Sequence, residues 1–140
     1  MQDSPEIRVP QDRRYTSEHI WVMPDGGEVV CGITDFAQDQ LGEVVYVGLP
    51  ALGAYFAAGE SFGTVESMKS ANELYMPVAG VVAGVNTVLE DLPDLVNAEP
   101  YSGGWIIRVR PDAPADAEDP ELLLEQAGYR AFLRTLGQGK

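Results

Sequence analysis

The stretch Phe62-Gly-Thr-Val-Glu-Ser-Met-Lys-Ser-Ala-Asn-Glu-Leu-Tyr-Met-Pro-Val-Ala-Gly80 decides how this chain is read. It predicts two short β runs, Glu60 to Val65 and Ala71 to Tyr75, meeting at a turn that presents Lys69. A Pro77 to Gly80 turn closes the second run. No other lysine lies between Met1 and Gly139. A lone amine at a hairpin tip suits a swinging arm, which a modifying enzyme must reach and which must then travel between active sites. The chemistry then belongs to the attached group, and the protein supplies position and electrostatics. The plainer alternative is a solvated turn lysine, which describes most exposed lysines.

Outward from the hairpin the pattern stays β-rich. His19 to Met23 reads as a strand, Pro24 to Gly27 as a turn, and Glu28 to Ile33 as the returning strand. Thr34 is placed to cap a short helix over Phe36 to Leu41, with Asp35 in its first turn and Gly42 ending it. Further strands are expected over Glu43 to Leu49, Gly80 to Asn86 and Trp105 to Arg110, with a helical turn over Thr87 to Leu92. Short strands punctuated by Gly and Pro predict a small, mainly β sandwich or barrel. Residues 1–14 read as a flexible leader, 15–136 as one domain and 137–140 as a tail. Pro111 to Pro120 reads as an acidic linker before a C-terminal helix over Glu121 to Leu136, packed through Leu122, Leu123, Ala127, Phe132 and Leu136.

Nine Lys and Arg against 22 Asp and Glu leave a net charge of −13. Such a surface disfavours nucleic acid and anionic membranes and suits proteins with basic patches. The single cysteine, Cys31, rules out an intrachain disulfide and reads as a buried small hydrophobe. No secretory signal and no membrane-spanning run is visible, so a soluble cytoplasmic protein is expected, or a mitochondrial one if this is a mature organellar form.

Candidate catalytic residues are few. Ser67 lacks a Gly-x-Ser-x-Gly elbow, and His19 is the only histidine available as a base. His19 has no Cys/His cluster for a metal, and its apolar neighbours suit a packed strand. Glu66 and Glu73 flank Lys69, as recognition groups for a modifying enzyme or as cross-strand charges. No hydrolase, kinase or dehydrogenase site assembles; catalytic and metal residues are expected to be absent.

Glu66-Ser-Met-Lys-Ser-Ala-Asn-Glu-Leu-Tyr75 resembles the lipoylation segment of the glycine cleavage system H protein family. So do Tyr15 to Val22, Gly32 to Val47, Leu95-Val-Asn97 and Pro100 to Trp105, in the same order. The resemblance implies a lipoyl-type barrel-sandwich hybrid with short helices and a C-terminal helix, and lipoate in amide linkage to Lys69. It also implies a monomeric, non-catalytic carrier that a lipoylating enzyme modifies. Its partners would be glycine decarboxylase (the P protein), the folate-dependent aminomethyltransferase (the T protein) and dihydrolipoyl dehydrogenase (the L protein). The family usually has an acidic residue after its histidine, where this chain has Ile20. In the family that carboxylate helps hold the loaded amine, a task left here to Glu18 or Glu73. Three other readings remain beside it: an H-like lipoate-binding protein carrying sulfur in bacterial sulfur oxidation, a biotin carrier suggested by Met68-Lys69, and a non-lipoylated interaction module.

Overall fold

The computed structural model describes residues 7–119 and 122–138. The first six residues of the expected leader, the Glu121 start of the expected helix and the last two residues of the tail lie outside them. Among the described residues nine strands form two antiparallel sheets. They are β1 (Arg14–Tyr15), β2 (Ile20–Asp25), β3 (Glu28–Ile33), β4 (Val44–Gly48), β5 (Tyr55–Phe56), β6 (Ser61–Ser67), β7 (Ala71–Tyr75), β8 (Gly80–Val85) and β9 (Ile107–Pro111). One sheet has the order β1-β2-β3-β9-β8-β5 and the other β4-β6-β7. Helices α1 (Asp35–Leu41), α2 (Leu95–Ala98) and α3 (Gln126–Gln138) complete the frame. The architecture is the expected mainly β one, with two sheets, short helices and a C-terminal helix.

Strand alternation builds the core. Ile20 and Val22 of β2, and Val29, Cys31 and Ile33 of β3, point at Val44 and Val47 of β4 and at Phe62, Val65 and Leu74 of the second sheet, in one continuous apolar cluster. The intervening residues face the other way, so Trp21 and Val30 join Val9, Tyr15 and Tyr129 in a second cluster beneath α3. Trp21 lies flat on Gly32, where a Cβ would come within 2.8 Å of the indole, and donates its N–H to the Pro100 carbonyl at 2.9 Å.

Several boundaries differ from expectation. Pro24 sits inside β2, opposite Val29, and the turn tightens to Gly26-Gly27, whose φ values of 63° and 88° suit glycine. Because β1 reaches only as far as Val22, β2 is an edge beyond it and tolerates the missing donor. As far as Asp119 the expected linker is structured, its last residue Pro120 lying outside the described residues: Pro111 ends β9, Pro114–Glu118 is a 3₁₀ turn, and Ala117 is buried in the main core. The C-terminal helix begins only at Gln126, because Leu124 exchanges both backbone hydrogen bonds with Tyr15, at 2.8 and 2.7 Å. Leu123 is buried as expected and Phe132 is half-buried, but Leu122, Ala127 and Leu136 are exposed; Tyr129 and Leu133 take their places on the packed face. Of the expected leader, Val9 is buried and Arg8 receives a hydrogen bond from Tyr101.

Candidate lipoyl-lysine hairpin and groove

β6 and β7 carry Lys69 at the tip of a three-residue loop, Met68 to Ser70. Ser67 presets this loop. Its backbone N–H donates to the Ser70 carbonyl at 2.8 Å, and its Oγ accepts from the N–H groups of Lys69 and Ser70 at 3.2 and 3.3 Å. A hydroxyl mimicking a backbone turn in this way explains Ser67 without any nucleophilic role. Lys69 is exposed, and its stem passes over Gly42, with Cε 3.6 Å from where a Cβ would stand. Gly42 has φ 78°, which favours glycine, and closes α1 by donating its N–H to the Gln38 carbonyl.

The surroundings of α1 are fixed by side-chain caps. Thr34 Oγ1 accepts from the Ala37 N–H at 3.2 Å. Asn97 holds the far end, donating to the Gly42 carbonyl at 2.8 Å and accepting from the Val44 N–H at 2.9 Å. The helix, the hairpin and the Glu18-His19 turn therefore frame a fixed groove of about 450 Å³. Its floor includes Ile33, Phe36, Leu41, Val65 and Leu74, and its rim includes Glu18, His19, Gln40, Asn72 and Glu73.

Glu73 and Glu18 are thus brought to one groove with the hairpin. Glu66 is not; it lies opposite Ala71 and Tyr46, and Glu73 lies opposite Thr64, so the two do not form a cross-strand charge pair. Among the described residues none of these three carboxylates has an ion-pair partner. Ile20 is 1% exposed in the main core and does not line the groove. His19 departs from its expected place in the strand. It precedes β2 with φ 69°, and its Nδ1 lies 2.7 Å from the Tyr129 hydroxyl. Burial pushes its pKa below the ordinary histidine value. Burial also raises the Cys31 thiol far above its usual range, which leaves it inert. Among the described residues no group of three or more His, Cys, Asp or Glu is placed to hold a metal, and no helix is long and apolar enough to cross a membrane.

The glycine cleavage H-protein family model matches residues 13–136. The chain belongs to the glycine cleavage H-protein family. It is 48% identical over 127 residues to a glycine cleavage system H protein of Anaeromyxobacter sp. (strain K), covering 91% of this chain and 97% of the relative. It is 51% identical over 127 residues to one of Mycobacterium avium (strain 104), covering 89% and 96%. In structure it matches the crystal structure of a glycine cleavage system H protein from Mycobacterium marinum with a TM-score of 0.78 and 37% identity, over 88% of this chain and 97% of the other. The Tyr129 link to His19 escaped sequence reading, because 110 residues separate the two and no local pattern joins them.

Proposed function

We propose that this chain is the lipoyl carrier of a glycine cleavage system, with lipoate in amide linkage to Lys69 and no catalytic site of its own. The observation that carries this reading is Lys69 at the tip of a preset hairpin beside a groove suited to an apolar arm. The lipoyl group supplies the dithiolane that accepts and gives up the aminomethyl fragment of glycine. The protein's part is positional. Ser67 holds the loop so that Lys69 projects to a modifying enzyme, and Glu66, half-buried on β6, marks the hairpin for it. The apolar floor shields a folded-back arm from water. Glu18 and Glu73 meet the cationic end of a loaded arm, in place of a carboxylate at position 20.

One unit over 15–136 would serve a lipoylating enzyme, glycine decarboxylase, the aminomethyltransferase and dihydrolipoyl dehydrogenase in turn. Tethering the cargo raises its effective concentration at each. The acidic surface, −13 overall, suits docking to basic rims on those enzymes. The carrier acts as a monomer in the compartment that holds them, the bacterial cytoplasm or the mitochondrial matrix. The test is Lys69→Arg, which is expected to fold as the wild type does, to take up no lipoate and to support no glycine–bicarbonate exchange. Retained exchange in that variant would sink the reading.

A further inference from the structure

His19 is the chain's only histidine and lines the groove beside Glu18. Its left-handed backbone is disfavoured outside glycine and is held by two backbone bonds. Its N–H donates to the Thr16 carbonyl and its carbonyl accepts from the Thr34 N–H, both at 3.0 Å. The ring packs against Phe36 and Phe132, with centroids 4.8 and 5.9 Å away. Its Nδ1 meets the Tyr129 hydroxyl at 2.7 Å, and that hydroxyl meets Thr34 Oγ1 at 2.8 Å. Thr34 Oγ1 accepts from α1 and has its own hydrogen to give to Tyr129, whose hydrogen can then go to Nδ1. In this arrangement the neutral ring carries its proton on Nε2.

We propose that His19 is a positioning residue for the loaded arm: its neutral ring leaves Glu18 and Glu73 free to face the ammonium of the cargo, and a protonated ring competes with that ammonium for them. The proposal rests on the reading that Lys69 carries an arm that folds into this groove. The charged groups that line the groove together with the ring are Glu18 on its own turn and Glu73 on β7; Tyr75 lines it too, and the Tyr129 hydroxyl meets Nδ1. α1 presents Phe36, Ala37 and Gln40, none charged, and its Asp35 is taken by the Arg8 N–H and by Gln38. Burial favours the neutral ring independently of any cargo.

Linkage makes the effect reciprocal. Whatever the protonated ring takes from retention of a bound cation, the bound cation takes from protonation of the ring. A single histidine in a tag-free chain gives unambiguous ring signals in 13C and 15N NMR. These are to be followed against pH in the unmodified, lipoylated and aminomethyl-loaded protein. The expected result is the Nε2–H tautomer at neutral pH in all three, and a histidine pKa that falls by about half a pH unit or more on going from lipoylated to loaded, roughly a threefold weaker proton affinity. The fall should shrink in the Glu18→Gln, Glu73→Gln double variant. An Nδ1–H tautomer, the same pKa before and after loading, or a fall unaltered in the double variant would each overturn the proposal. Intact mass separates this failure from that of the parent reading: an unmodified Lys69 would remove the arm itself, and the proposal with it.

Discussion

Tyr129→Phe removes one oxygen and leaves the ring, which stacks on Tyr15 at a centroid distance of 4.7 Å. The hydroxyl it deletes joins α3, the His19 turn and the α1 cap, through contacts of 2.7 and 2.8 Å. Thr34 is fully buried, so its hydroxyl would lose its Tyr129 partner in a place shut off from solvent. Two hydrogen bonds at about 1 kcal/mol each give a loss of about 2 kcal/mol, with the orphaned groups able to raise it to about 3. That is roughly a 30-fold change in the folding equilibrium, and about 6–10 °C in melting midpoint for a chain of this size. Urea unfolding of the two proteins side by side measures it, with equal slopes expected because the buried surface hardly changes. A cost below about 0.5 kcal/mol would refute the reasoning, since it would show that neither contact contributes to the folded state.

Three other outcomes are expected. The folded state holds the His19 pKa below its unfolded value, so stability is complete above about pH 6.5 and falls as pH drops from there to the depressed folded value. His19→Gln should flatten this part of the stability curve, and an unchanged curve would contradict the burial assigned to the ring. Gly63→Ala should cost about 3 kcal/mol or more, because a Cβ there would press into the Gly48 carbonyl oxygen and part β6 from β4; a near-normal melting curve would argue against that close approach. Ser67→Ala should leave the unfolding midpoint within about 1 kcal/mol of wild type while slowing lipoate attachment several-fold. Equal attachment rates would show that the loop does not need its hydroxyl.

Local chemistry made much of this fold legible. Thr34 and Gly42 mark both ends of α1, and the lysine hairpin declares itself by alternation and a short polar turn. What stayed hidden depends on distant partners. The two-residue strand β5 pairs with β8 and has no alternation long enough to see. The four-residue α2 is too short for a helical period and is tied down through its own Asn97, which bonds across 55 residues to Gly42. The helix start moved from Glu121 to Gln126 because backbone pairing of Leu124 with Tyr15 outcompeted helix extension. The same holds at the site. Lys69, Glu73, Glu18 and Ser67 could be named from sequence, but the groove itself needed Ile33 and Phe36 to meet β7, and the burial of Ile20 became visible only once β2 was placed against the core.

The most direct measurement is the intact mass of the protein isolated from its native host, with peptide mapping across Lys69. The account predicts one lipoyl group, on Lys69 and nowhere else. A bare Lys69 in a host that lipoylates its other carriers, or biotin at that position, would contradict it.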